Sequence, residues 1–340
     1  MNVAIIIPCR NEEANIVECI EAIYASKLNR SIVLNVFVVD GRSDDGSIEL
    51  LIQLQKKYSS LTIIENTKQL TPYAFNLGIL KGIECDYFQI IGARQIICQD
   101  YLQKAILKLE SEPQIWGIGG RVENVYLNDI GRIIASAMET TFGMGLGNFR
   151  TMESSGFVDT VGTPMYPKFV FEKIGYFDEE LIRNQDDDFN YRISKAGGKI
   201  YFEAGISLKY YVRGNFKNLW KQFFQYGYWK VYVNKKHKSV TTIRQLIPPL
   251  FVLYLFLLII APFVSIVFFG VAAIPLIFYV IFTGYFSCKI VSKDKQISIF
   301  KIIPTFPVMH LSYGLGYLRG VVEFLLMNKK PGDRQKELSR

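Results

Sequence analysis

The chain has 340 residues, half of them hydrophobic and 21 % charged, which is enough for one enzyme-sized domain and an apolar appendage. Its formal charge of +8 suits an anionic partner. No arginine-rich tract or nucleic-acid motif is present, so a membrane surface or a phosphate-bearing substrate fits and nucleic acid does not. Two histidines, and five cysteines without paired spacing (Cys9, Cys19, Cys85, Cys98, Cys288), argue against a zinc site and for reduced thiols.

Val3–Ile7 is too short for the apolar core of a signal peptide, and Arg10, Glu12 and Glu13 follow at once. It reads as a buried parallel strand ended by Pro8. Further strands are expected at Leu34–Val39, Leu61–Glu65 and Tyr87–Ile91, with helices between them at Glu13–Ser26, Ser47–Tyr58 and Tyr73–Gly82. Alternation of this kind predicts a parallel sheet covered on both faces, with ligands bound outside the carboxyl ends of the strands. Pro8–Glu12, Asp40–Ser43 and Gly92–Gln95 all fall at those ends. Trp116–Arg121 and Val158–Tyr166 read as two more strands around an insertion. The insertion holds Gly143-Met144-Gly145-Leu146-Gly147, which lacks a preceding strand and reads as a loop or a tight helix contact.

Residues 183–192 put Asp186, Asp187 and Asp188 between Arg183 and Arg192 at the start of a helical run that ends near Gly197. Such a cluster is either a dipole-stabilised helix start or a general base held near a cation. Asp188 and Arg192 stand at i and i+4, the spacing of an ion pair. Residues 247–269 and 271–291 are apolar and about long enough to cross a bilayer, with a hairpin turn expected at Gly270 and Pro275. Lys235, Lys236, Lys238 and Arg244 flank the first; Lys289, Lys293 and Lys295 flank the second. By the positive-inside rule, both flanks lie in the cytoplasm. Segment 299–327 carries Pro304, Pro307, His310, Arg319 and Glu323 and reads as an interfacial, re-entrant or third membrane helix before a basic tail, 328–340.

Four ordered blocks resemble the family-2 glycosyltransferases. They are Ile5-Ile6-Ile7-Pro8-Cys9-Arg10-Asn11-Glu12-Glu13, Val38-Val39-Asp40-Gly41-Arg42-Ser43-Asp44-Asp45-Gly46-Ser47, Val158 to Tyr166 followed by Phe171 to Glu179, and the acidic cluster. The likeness is greatest to membrane-attached members that build bacterial surface polysaccharides, of the succinoglycan type. It implies a GT-A nucleotide-sugar-binding α/β domain with a mostly parallel sheet over 1–235. A basic linker at 236–246 and a C-terminal α-helical membrane hairpin at 247–291 would follow.

By the same resemblance Asp186 is the catalytic base of an inverting transfer from a nucleotide-diphosphate sugar. The acceptor is a saccharide, of the polyprenyl-diphosphate-linked kind, met at the cytoplasmic face of the bilayer. Asp40 is a nucleotide contact, or else a turn residue before Gly41. Pro8, Arg10 and Glu12 form the adjoining wall, where Arg10 reaches a phosphate or pairs with Glu12 or Glu13. Gln185 replaces the glutamate that usually precedes the base and keeps hydrogen bonding to the acceptor; Asp187 and Asp188 complete the cluster. Gln222 and Trp229 belong to an aromatic segment that lines an acceptor groove or sits in an interface belt.

The sequence departs from the family where a metal-binding Asp-x-Asp or Asp-x-His is usual. Gly92-Ala93-Arg94 stands there, without a carboxylate for a hard cation such as Mn or Mg. Arg94 can instead clamp a diphosphate. The competing reading is a membrane-anchored, non-catalytic nucleotide-sugar-binding or scaffold protein with a degenerate metal site.

Overall fold

The computed structural model describes residues 1–145 and 149–331. Two compact units make up the chain: residues 1–124 with 152–211, and residues 125–151 with 212–340.

In the first unit, β1 (Asn2–Cys9) runs parallel to both β2 (Val33–Asp40) and β4 (Tyr87–Ile90), and β3 (Leu61–Glu65) extends the sheet beyond β2. Val3 to Ile7 have no exposed surface, as a central strand covered on both faces requires. α1 (Ile16–Tyr24) buries Ile16, Cys19, Ile20 and Ile23, one stripe at helical spacing. α2 (Ser47–Lys57) and α3 (Thr71–Lys81) complete the alternating half.

The sheet continues through antiparallel pairing. Next come β5 (Gln95–Ile97), α4 (Tyr101–Ser111), β6 (Ile115–Val125), β7 (Gly156–Val158), β8 (Met165–Pro167), α7 (Lys168–Ile174), α8 (Gln185–Lys195) and β9 (Lys199–Tyr211), with two helices of the second unit, α5 (Asp129–Met138) and α6 (Thr141–Met144), inserted before β7. The strand order is β3-β2-β1-β4-β8-β6-β9-β5, with β7 on β9. Val158–Tyr166 is thus not one strand. Its ends join β7 and β8, and Thr163, at φ +53°, turns the chain between them.

The second unit is helical. α5 (Asp129–Met138) and α6 (Thr141–Met144) pack with α9 (Phe216–His237), α12 (Ile274–Lys293), α13 (Ile299–Ile302) and α14 (Thr305–Gly320) around Ile133, Leu219, Phe223, Ile302, Phe306 and Met309. Residues 125–151 and 212–235 therefore group with the C-terminal helices, so the compact units part at 211 where the sequence reading ends its first domain at 235. Gly143 lies in α6, and a β-carbon there would stand 2.2 Å from the Ala137 carbonyl oxygen, which is a tight helix contact. Leu146 and Gly147 lie outside the described residues.

α9 and α14 approach at backbone distance. A β-carbon at Gly227 would fall 2.0 Å from the Tyr313 carbonyl oxygen, and one at Gly316 would fall 2.0 Å from that of Phe224. Neither neighbour is a side chain that can swing away. Gly316→Val should therefore separate the helices and sharply reduce the yield of folded full-length protein, measured by size exclusion in detergent. Normal yield and thermal midpoint would contradict this packing.

α10 (Ile247–Val264), α11 (Ile266–Ala272) and α12 carry the apolar surface. Two stretches, Ile243–Val264 and Ile266–Lys293, are long and apolar enough to cross a membrane, and most of each faces outward; Phe263 is 87 % exposed. The chain breaks at Ser265, which is extended, rather than at Gly270, which continues α11. Pro262 weakens the preceding turn, and Pro275 starts α12 at a position where its missing N–H costs nothing.

His310 has a packing role. The Phe142 carbonyl accepts from its Nε2 at 2.9 Å, so Nδ1 accepts from the Tyr279 hydroxyl at 3.0 Å.

Candidate active site

The carboxyl ends of β1, β2 and β4 bring three loops together. Cys9 pairs with Asp40 across β1 and β2, and the Ile91 amide donates to the Ile6 carbonyl. The first two loops are laced by short side chains. The Ser43 amide and hydroxyl donate to Asp40 Oδ2 and Oδ1 at 3.0 and 2.5 Å. The Asn11 amide donates to Ser43 Oγ at 2.9 Å, and its side chain exchanges two bonds with Asp44. The Glu12 amide donates to Ser47 Oγ at 2.8 Å. Asn11 and Arg42 adopt positive φ to make these turns. Asp40 is 3 % exposed, so its carboxylate first fixes the shape of the loop. Burial pushes the Cys9 thiol upward, and the charges of Asp40, Glu12 and Asp45 push it further, which shows how acidic this edge is.

The third loop places Arg94 against that acid. Arg94 Nε donates to Glu12 Oε1 and Oε2 at 2.9 and 2.8 Å. Glu12 is the more buried partner, so it holds the guanidinium of a half-exposed arginine. The Gly92 amide donates to Gln95 Oε1 at 2.6 Å, fixing the turn that leads into Arg94. Arg10 does not take Glu12 or Glu13; its side chain lies over Gly41. Pro8 is half-buried in β1 beside Val39.

The acidic cluster opens α8. Asn184 in left-handed backbone turns the chain into the helix, a conformation asparagine tolerates, and its side-chain amide donates to Asp187 Oδ2 at 3.0 Å. Asp186 is exposed, and its Oδ1 accepts the Asp187 amide at 3.0 Å. Phe189 stacks on Phe177 and meets Tyr166 edge-on, which seats α8 on β8. Burial raises the Tyr166 phenol well above its ordinary range; Asp186 raises it further and Arg192 opposes. Gln185 is buried at the first position of α8 and its Oε1 meets no donor among the described residues.

Two residues expected at the substrate are fully buried. Asp188 has no exposed surface; Arg192 Nε donates to it at 3.0 Å while the two outer nitrogens reach the Ile174 and Tyr176 carbonyls. The i to i+4 pair therefore anchors the helix, and helical periodicity turns Asp188 inward while Asp186 faces out. Trp229 also has no exposed surface. It packs with Tyr228, Tyr232 and Phe324 inside the second unit, because α9 uses that face to meet the segment after α14. Gln222 is half-buried and donates to the Tyr226 hydroxyl at 2.8 Å. Asn11, Ser43, Ser47, Asn184 and Gln95 lie in the segments singled out from the sequence, which gave none of them a role of its own. Turn-forming Asn, Ser and Asp residues after strand ends or just before helices were the available signal for the first four.

The resemblance implies a divalent cation at the end of β4. Gly92, Ala93 and Arg94 offer it no side-chain oxygen, and among the described residues no group of three or more His, Cys, Asp or Glu residues could hold a metal. Hard cations take six or more oxygen ligands. Residues 92–94 therefore supply such a cation with no side-chain ligand.

A sheet whose first four strands run parallel, three loops at their carboxyl ends and an acid-headed helix on its antiparallel half define the GT-A class of nucleotide-sugar transferase folds. The model of glycosyl transferase family 2 matches residues 4–175, and the chain belongs to that family: it is a glycosyltransferase. One relative is the dolichyl N-acetyl-alpha-D-glucosaminyl phosphate 3-beta-D-2,3-diacetamido-2,3-dideoxy-beta-D-glucuronosyltransferase of Methanococcus voltae, 33 % identical over 66 % of this chain and 71 % of the relative. Another is the succinoglycan biosynthesis protein ExoA of Rhizobium meliloti, 25 % identical over 94 % of this chain and 95 % of the relative. Among solved structures, the mannosyltransferase PcManGT from Pyrobaculum calidifontis, in complex with GDP-Man and Mn2+, superposes with a TM-score of 0.60. It covers 94 % of this chain and 86 % of its own at 16 % identity, a likeness of fold.

Proposed function

We propose that this glycosyltransferase moves a sugar from a nucleoside-diphosphate donor to a lipid-linked saccharide, with inversion, at the cytoplasmic face of a membrane. Asp186 takes the proton from the acceptor hydroxyl as its oxygen attacks the anomeric carbon in line; the bond to the diphosphate breaks and the nucleoside diphosphate leaves. Asp40, Pro8 and Arg10 form the wall for the nucleoside, and Gln185 and Asp187 flank the base. The names of the two relatives, one a dolichyl phosphate saccharide transferase and one a succinoglycan biosynthesis protein, support the class of acceptor. The exposed apolar helices support membrane attachment, and the lysines flanking them support the cytoplasmic side.

The observation that carries this reading is the Glu12–Arg94 pair at the carboxyl edge of the sheet. Among the described residues Glu12 engages only Nε of Arg94, which leaves the two outer nitrogens to clamp a diphosphate. Charge-assisted bonds of this kind contribute about 1.5–3 kcal/mol each, or roughly 10- to 100-fold in affinity. Arg94→Ala should weaken nucleotide-sugar binding by that factor in calorimetry and leave free nucleoside unaffected. Transfer by the wild type should survive EDTA. Complete inhibition by EDTA that manganese restores would overturn the role given to Arg94.

A further inference from the structure

The end of α9 carries Lys235, and Lys238 follows it in left-handed backbone. Far along the chain, a π-helical turn, Val321–Leu326, leads to Asn328, Lys329 and Lys330. Lys235 Nζ donates to Asn328 Oδ1 at 2.7 Å, tying together segments 93 residues apart. A basic patch is thereby assembled from two places in the sequence, within one compact unit. Among the described residues, the acid nearest in sequence to the second segment, Glu323, is already engaged by Arg319 and by the Tyr228 hydroxyl.

Aliphatic side chains stand outward beside these lysines. Val240 and Ile243 follow the first segment, and Leu325, Leu326 and Met327 precede Lys329; Ile243 is 81 % and Leu326 75 % exposed. Runs of this kind mark an interaction surface. Cationic head groups next to exposed aliphatic chains are the pattern of a surface seated at the lipid–water boundary. Ile243 also begins the first membrane-length stretch, so the patch lies where that stretch would leave the hydrocarbon.

We propose that Lys235, Lys238, Lys329 and Lys330 form a binding site for the headgroups of anionic phospholipids, with Val240, Ile243, Leu325 and Leu326 against the acyl chains. The lysines are compact, strongly hydrated charges suited to phosphate as point donors. Asn328 fixes Lys235 so that both segments bear on the same leaflet and set the depth of the unit. The site rests on the membrane attachment of the chain and adds to it a selectivity for lipid charge.

The test uses the full chain in neutral detergent, with phosphatidylglycerol and phosphatidylcholine added in turn and bound lipid counted by native mass spectrometry. Wild type should retain phosphatidylglycerol over phosphatidylcholine by roughly 10-fold, given the pull of several lysines on an anionic surface. The quadruple change Lys235→Gln, Lys238→Gln, Lys329→Gln, Lys330→Gln should abolish that preference and leave phosphatidylcholine retention unchanged. The four lysine-to-arginine changes should keep the preference, which separates lost charge from lost fold. Undiminished preference in the glutamine variant would overturn the site. Displacement of the lipid by millimolar inorganic phosphate would also overturn it, because the ligand would then be a free anion. A wild type that retains neither lipid would instead contradict membrane attachment itself.

Discussion

Asp186→Asn should reduce turnover by roughly 10²- to 10⁴-fold, the usual contribution of a positioned general base, with donor affinity within about twofold of wild type. Asparagine keeps the oxygen that accepts the Asp187 amide, so the first turn of α8 remains as it is. What is lost is the ability to take a proton. Asp186 is the exposed member of the three acids, whereas Asp188 is buried against Arg192 and the Asn184 side chain holds Asp187. A steady-state assay of the purified full chain on its acceptor, paired with calorimetric donor binding, separates the two effects. Turnover within tenfold of wild type would remove Asp186 from the role of base and bring Asp187 forward.

Arg192→Leu should be the most destabilising single change in the first unit's acidic helix. Asp188 would keep its buried charge without the guanidinium, and the Ile174 and Tyr176 carbonyls would each lose a donor. Breaking a buried pair by removing one partner costs about 3–5 kcal/mol. In a protein of this size that corresponds to a fall in thermal midpoint on the order of 10 °C. Asp188→Asn with Arg192 retained should cost less, because the amide oxygen can still accept from the guanidinium. Equal midpoints for wild type and Arg192→Leu, by differential scanning fluorimetry, would contradict the anchoring role.

The parallel half of the fold was legible because its signals are local. Val3–Ile7 is a continuous apolar run closed by proline, and α1 shows its buried stripe in the spacing of Ile16, Cys19, Ile20 and Ile23. The i to i+4 relation of Asp188 and Arg192 was legible for the same reason, although spacing alone does not say which acid turns inward. Glu12 and Arg94 stand 82 residues apart, and nothing local in either segment pairs them. Trp229 shows the opposite failure. An aromatic before an apolar segment fits a ligand groove or an interface belt equally well, and in the structure Trp229 is buried against Phe324. Gly270 was misleading because a glycine in an apolar helix is also tolerated without a turn, while the break fell at Ser265 after Pro262.

The most direct test of the account is the anomeric configuration of the product. The purified full chain would be supplied with nucleotide-sugar donors and a lipid-linked saccharide extract, and the new linkage would be read by the proton NMR coupling of its anomeric hydrogen. Single in-line displacement assisted by Asp186 predicts a configuration opposite to that of the donor, formed by wild type and absent from Asp186→Asn. A product with the donor's configuration, or one formed equally well by both proteins, would contradict it.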